Sequence, residues 1–412
     1  MLLDSLSRWS FGITISLHYI FPLLTMGGCF WFFMQSLGRA PWSVLRKAVP
    51  PLLLFTVLGI TTGYVLKWHF ENIWTPYYEL IADMFHPILG LEAPISLAGF
   101  AIFFPVLFVG LRKENRTLTH VATGGLFLTT LVSATAITAV NSWMQFPSGV
   151  RVMSNPLGHA IERLSLWEVV FSPTFPTRFA HVLLGAAVLG GAWQMFNTKR
   201  FNAKGAMFFF LLWGVQFYVG HHHAGEVYAY QPEKFAAFEG HEGVYGPADL
   251  YLLPTKEHRV SIKLEGMTSF MMFNDGDQPI YGLDAWQESY LTDLLDVVFA
   301  SYHVMVLLHF LLLGLFAYLW WRRDARWSLQ SWALVAVIIA ALVANYAGWY
   351  TAEMGRQPWI IRGIMYTRHA SVPASELVTY LGVLWSLLAW GVPLVLWRAL
   401  GLRRKVNGLL GR

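Results

Sequence analysis

Along the chain, apolar runs of about 18 to 25 residues, each long enough to cross the hydrocarbon core of a bilayer as a helix, alternate with polar connections. They fall at 11–35, 50–67, 88–111, 121–140, 178–197, 206–222, 292–320, 331–351 and 376–397. They are too long for barrel strands and lack period-two alternation. A backbone facing lipid must also satisfy its own hydrogen bonds, which leaves helices as the spanning element. The pattern predicts an all-α, polytopic membrane protein of about nine transmembrane helices. Six of these helices fall in 1–222, an extramembrane segment rich in Gly, Glu and Tyr occupies 223–291, and three helices with a tail make up 292–412. That middle segment is too long to be a simple connector.

Composition agrees. Of 412 residues, 56% are apolar and 13% charged, which is a membrane composition rather than a soluble one. Basic residues gather in alternate connections: Arg39, Arg46 and Lys47; Arg112, Lys113 and Arg116; Lys199, Arg200 and Lys204; Arg322, Arg323 and Arg326; and Arg398, Arg403, Arg404 and Lys405. Positive connections stay cytoplasmic, so the N-terminus is expected outside and the C-terminus in the cytoplasm. The net charge of +5 follows from this topology and calls for no nucleic acid. The first run reads as a retained helix rather than a cleaved signal peptide. One cysteine, Cys29, excludes an internal disulfide, a four-cysteine iron–sulfur cluster and covalent CxxCH haem attachment. No internal repeat is evident.

An ionisable group inside a membrane span is costly unless paired or ligated, so each is a functional candidate. His18, Glu92, His181, Met305 and Glu353 stand out, and the topology places all five toward the outer face, with His18 in the second turn of its helix. Imidazole, thioether and carboxylate together suit haem better than zinc or calcium. A His/Met pair gives a six-coordinate electron-transfer haem, and a single His or a carboxylate leaves iron open to a gas. Each residue alone also has an ordinary reading: a packing histidine, a core methionine, an interfacial glutamate. Glu353 and Arg356 lie one helical turn apart just before Pro358, where the helix is expected to stop.

Four ordered motifs resemble subunit I of the cytochrome bd quinol oxidases across nearly the whole chain. They are "LSRWSFGITISLHYIFPLLTMG" at 6–27, "NSWMQFP" at 141–147, "QPEKFAAFEG" at 231–240 and "AGWYTAEMGRQPW" at 347–359. The resemblance implies a low-spin haem b on His181 and Met305, a high-spin haem b on Glu353, and a haem d (or a third haem b) on His18 with Glu92 beside it. It implies Trp349 between haems, Arg356 at the haem propionates, and Lys234 and Glu239 at a quinol site with Phe235 and Phe238 as apolar neighbours. It further implies quinol oxidation at the outer face, O2 reduction to water with cytoplasmic protons, and a bacterial or archaeal plasma (inner) membrane location. The expected partners are a smaller membrane subunit (subunit II-like) and small single-helix subunits. A divergent member fed by a non-quinol donor, or an electron-relay subunit of a larger respiratory complex, is the alternative.

The sequence departs from the family at three places. Phe100 stands where relatives carry a second, deeper glutamate, so Ser96, Thr130, Ser133, Thr138 and Asn141 are the residues available for a hydroxyl-lined proton route. His221, His222 and His223 precede the "QPEK" run and cannot all face one way on a helix, which disfavours a three-ligand metal site. His303 and His309 flank Met305, making a bis-histidine haem conceivable, although Met305 fits the motif register better.

Overall fold

The structure, a computed structural model, describes residues 2–155, 158–199, 203–251, 262–324, 326–399 and 401–410. Arg200 and residues 252–261 lie outside the described residues, as do the side chains of Lys204 and Arg403.

The chain is a bundle of long helices with small structures in its connections. The helices are α1 (Leu2–Leu37), α2 (Trp42–Asn72), α3 (Thr75–Met84), α4 (Ile88–Arg112), α5 (Arg116–Gln145), α6 (Leu166–Val170), α7 (Phe175–Thr198), α8 (Ala203–Tyr230), α9 (Pro232–Glu239), α10 (Met267–Phe273), α11 (Leu295–Trp321), α12 (Trp327–Met354), α13 (Glu376–Ala399) and α14 (Leu402–Leu409). The strands form four two-stranded antiparallel sheets among the described residues: β1 (Val150–Asn155) with β2 (Gly158–Arg163), β3 (Tyr245–Pro247) with β6 (Pro279–Tyr281), β4 (Leu250–Tyr251) with β5 (Lys263–Leu264), and β7 (Trp359–Ile361) with β8 (Met365–Tyr366).

A long helix covers every apolar run. Eight helices among the described residues are long and apolar enough to cross a membrane. The 206–222 run, read as the sixth span, forms the middle of α8. Most helices outrun their apolar stretch, because a helix does not end where the chain leaves hydrocarbon: polar residues continue it. His18 therefore lies midway along α1 rather than in its second turn. Likewise α8 continues past 223 to Tyr230 and enters the segment read as extramembrane. Helix α12 stops at Met354, short of Pro358. Gly355 is a poor helix former and the residue before a proline is pushed out of the helical region, so the chain leaves the helix before the proline ring is reached.

The basic connections gather at one end of the bundle. Arg46 donates to the Leu111 carbonyl at 2.9 Å and pairs with Glu114 at 2.9 Å, which ties the start of α2 to the α4–α5 turn. Arg116 reaches the Ala40 carbonyl at 2.9 Å and covers the Trp42 ring, while Asn197 at the end of α7 donates to the Lys47 carbonyl. Val406 and Leu410 at the tail join the same apolar cluster as Leu45 and Leu111. Connections carrying like charge thus share one side, as the positive-inside pattern requires. The central core is an apolar cluster shared by α1, α7, α8, α11 and α12, through Leu23, Met26, Ala186, Leu189, Phe209, Phe316, Val337 and Ala341.

Candidate functional site

All five candidate ligands line a single cavity of 2190 Å³: His18 from α1, Glu92 from α4, His181 from α7, Met305 from α11 and Glu353 from α12. Trp349, Arg356, Lys234 and Glu239 line it too. Ligand pockets for one small molecule run to about 300–1,000 Å³, so this volume suits more than one large group.

Three of the ligand side chains face a glycine on a neighbouring helix. A Cβ built on Gly63 would lie 3.3 Å from His18 Cε1, one on Gly220 would lie 3.1 Å from His181 Cε1, and one on Gly348 would lie 2.8 Å from the Met305 sulfur. These glycines keep room around the side chains that would ligate.

His18 is oriented by a residue that carried no sequence signal. Its Nδ1 lies 2.8 Å from Thr62 Oγ1, and that hydroxyl donates its only proton to the Leu58 carbonyl at 2.6 Å. Thr62 must then accept from His18, which places the imidazole proton on Nδ1 and leaves the Nε2 lone pair free. This is the second-shell arrangement that prepares a histidine for a metal.

Around Glu353 the polar groups form a chain. Asn141 donates to Glu353 Oε1 at 2.6 Å and Arg356 hydrogen-bonds Oε2. Arg178, one turn before His181 on α7, donates to Asn141 Oδ1 at 3.3 Å. Both arginines are buried, and Arg356 Nε, Arg356 Nη1 and Arg178 Nε have no hydrogen-bond partner among the described residues. A buried donor left unpaired costs about 1–3 kcal/mol. Two guanidiniums with spare donors around one carboxylate call for a further anion, and a carboxylate matches their fork. Arg178 was not among the residues singled out from sequence; its i,i+3 spacing to His181 mirrors that of Glu353 and Arg356 and was the available signal.

Trp349 stacks on Tyr19 with centroids 5.2 Å apart, next in sequence to His18, so an aromatic contact links the Glu353 end of α12 to α1. Glu92 accepts from Ser96 at 3.1 Å and from Ser133 across the α4–α5 interface. Ser96, Thr130, Ser133, Thr138, Asn141 and Phe100 all line the cavity. Thr130 donates to its own helix, at the Phe127 carbonyl, so hydroxyls on this face serve the helix as well as the cavity.

Histidines outside the ligand set divide by face. His221 and His223 line the cavity, while His222 turns away and stacks with Tyr218. His303 donates from Nδ1 to the Phe299 carbonyl, 2.9 Å away, and His309 stacks on Trp213. Among the described residues no three His, Cys, Asp or Glu side chains converge as a site for a bare ion. Candidates that stand singly or in pairs around a large cavity fit a macrocycle, which brings four nitrogen ligands of its own. Together with the spare arginine donors, the residues present fit haem.

Lys234 and Glu239 are not on a solvated face. Helix α9 is buried along its length, with Phe235 and Phe238 1% and 3% exposed. Glu239 lies 3.2 Å from Thr268 Oγ1 and accepts from Tyr302, whose ring stacks on Phe238 at 4.2 Å. Burial pushes the Glu239 carboxyl up to about 7 against those hydrogen bonds. Burial, then the nearby Arg178 and Arg356, push Lys234 well below the ordinary lysine value.

The subunit I model of the cytochrome bd terminal oxidases matches residues 6–404. The chain belongs to that family. It is 25% identical to cytochrome bd-II ubiquinol oxidase subunit 1 of Escherichia coli, covering 90% of each chain. It is 26% identical to cytochrome bd ubiquinol oxidase subunit 1 of Bacillus subtilis, covering 94% of this chain and 89% of that one. Its fold matches a chain of the bd oxidase from Geobacillus thermodenitrificans with a TM-score of 0.80 over 97% of this chain and 98% of that one, at 23% identity. Membership makes this an oxidoreductase subunit of a haem-bearing, multisubunit membrane oxidase.

Proposed function

We propose that this chain oxidises quinol at the outer face and reduces O2 to water. The observation that carries the proposal is that the α9 residues and all the candidate haem ligands line one cavity. His181 and Met305 would hold a low-spin haem b, Glu353 a high-spin haem b, and His18, with Glu92 nearby, a haem d or a third haem b. Bound haem iron supplies electron transfer and the binding and reduction of O2.

The chain's own residues do the rest. At the donor end, Glu239 is buried against Phe235, Phe238 and Tyr302, an apolar seat for a ring with a carboxylate positioned to take a proton from a hydroxyl. Arg356 and Arg178 would hold propionate carboxylates with their spare donors; Arg356 keeps Glu353 in place directly and Arg178 does so through Asn141. Thr62 fixes the His18 tautomer. Ser96 and Ser133 orient Glu92, and with Thr138 they mark the face along which cytoplasmic protons approach. In this reading the basic end of the bundle faces the cytoplasm and α9 the outside of a bacterial or archaeal plasma membrane, with a smaller membrane subunit and small single-helix subunits as partners.

The test compares donors. In the purified complex Glu239→Gln should depress quinol-driven oxygen uptake by about ten-fold or more while leaving uptake with an artificial donor that reduces the haems directly near that of the native protein. Equal rates for native and variant with quinol would move the donor site elsewhere and favour a non-quinol donor.

A further inference from the structure

Among the described residues the His181 ring has one hydrogen-bond partner, Gln216 on α8, whose amide Nε2 lies 3.2 Å from each ring nitrogen. Other polar side chains nearby are engaged elsewhere. His223 Nδ1 lies 3.0 Å from Thr177 Oγ1, with its ring centroid 6.4 Å from that of His181, and His309 stacks on Trp213. Gln216 and Gly220 lie one turn apart on α8, share its face toward His181, and both line the cavity. Gly220 clears the Cε1 edge of the imidazole, and Gln216 attends to its nitrogens.

The sense of that hydrogen bond follows from the chemistry of the ring. A neutral imidazole has one N–H donor and one lone pair, so a His181 that gives its lone pair to iron keeps only an N–H to offer its surroundings. It must be met by an acceptor. Gln216 carries one, since its Oε1 is buried and has no hydrogen-bond partner among the described residues. Amide nitrogen and oxygen exchange places by a half-turn about a terminal torsion that is broad and two-fold. Because Oε1 bonds nothing else, that half-turn gives up no other contact of the oxygen.

We infer that Gln216 is the positioning residue of His181: its amide oxygen accepts the proton of the ring nitrogen that does not ligate, fixes the tautomer and rotation of the ring, and strengthens the imidazole as a ligand. This rests on the proposed reading of His181 as a haem ligand. Thr62 performs the same task for His18 from a neighbouring helix, with a hydroxyl in place of an amide.

The experiment uses the whole purified complex with Gln216→Leu, Gln216→Met and Gln216→Glu. The readouts are the haem-to-protein ratio, the low-spin b band of the reduced-minus-oxidised spectrum and the midpoint potential of that haem. An acceptor on the N–H of a ligating histidine raises its basicity and so favours ferric iron. Gln216→Leu and Gln216→Met should therefore retain the low-spin band while shifting the ferric-to-ferrous ratio about ten-fold toward ferrous, which for a one-electron couple is about 59 mV upward. Gln216→Glu keeps an acceptor oxygen and lacks the amide N–H donors, so its potential should stay at or below that of the native protein. An unmoved potential in the Leu and Met variants would overturn the inference. An upward shift in Gln216→Glu equal to that in Gln216→Leu would overturn it too, because the amide N–H would then be the working group. His181→Ala separates the two levels of the argument. A low-spin band that survives His181→Ala overturns the ligand assignment and this inference with it, whereas loss of the band there with unmoved potentials in the Gln216 variants overturns the role of Gln216 alone. Two apolar variants keep the test decisive if one of them fails to assemble.

Discussion

At the residue scale, the site is built from side chains whose roles depend on a second residue far away in sequence. His18 was legible as an imidazole in an apolar helix; Thr62, which sets its tautomer from 44 positions away, was not, because a threonine in a membrane helix has no periodic or compositional mark. Thr62→Val should lower occupancy of the His18 site by about 10–100-fold, the usual cost of losing a ligand's outer-shell partner, and a haem-to-protein ratio with a difference spectrum measures it. His181→Ala and Met305→Ala should each remove the low-spin haem b spectrum and leave the gas-binding haems largely in place. An unchanged low-spin spectrum in both would shift the assignment to His309. Glu239 gives a pH prediction. With its carboxyl raised to about 7, it is protonated below that pH and becomes a proton acceptor above it, so quinol-driven turnover should rise as pH increases through about 7. Glu239→Gln should flatten that rise.

At the scale of elements, apolar runs located the long helices but not their ends, since hydrocarbon thickness limits the run and helix propensity with capping limits the helix. The burial of α9 was also illegible: a short helix with Lys and Glu five apart reads as a solvated face until its neighbours are known. Its packing depends on Arg362 in the turn between β7 and β8, which donates to Glu233 through Nε at 2.7 Å and Nη2 at 2.9 Å and to the Tyr230 carbonyl at 2.8 Å. Nothing in the sequence links residues 129 positions apart. Arg362→Met leaves the Glu233 carboxylate, with 8% of its side chain exposed, unpaired. Breaking a buried pair from one side costs about 3–5 kcal/mol, of which the partial exposure of Arg362 leaves the lower end. The expected outcome is a raised quinol KM and faster proteolysis within 231–291, read by kinetics and limited digestion.

At the scale of the whole molecule, the fold brings candidate ligands from five helices to one cavity and gathers basic turns at one end. The ordering of ligands along the chain was readable because each lies on its own helix; their convergence on one volume needed the packing. Phe100 remains the point where the proton route must differ from one lined by two glutamates. Ser96→Ala combined with Thr138→Val should slow turnover with haem content intact, and Phe100→Glu should be tolerated or accelerate it, measured as oxygen uptake by membrane vesicles with the pH change followed on each side. Full turnover in the double variant with cytoplasmic proton uptake preserved would remove this route. The central claim is that the cavity holds three haems on this chain's own side chains. The reduced-minus-oxidised absorption spectrum of the purified complex, taken with its haem-to-protein ratio, tests that most directly. The account predicts a low-spin b signal together with high-spin signals at three haems per chain, with a red band if one of them is haem d. A preparation that is intact and folded yet carries only a single low-spin haem would contradict it.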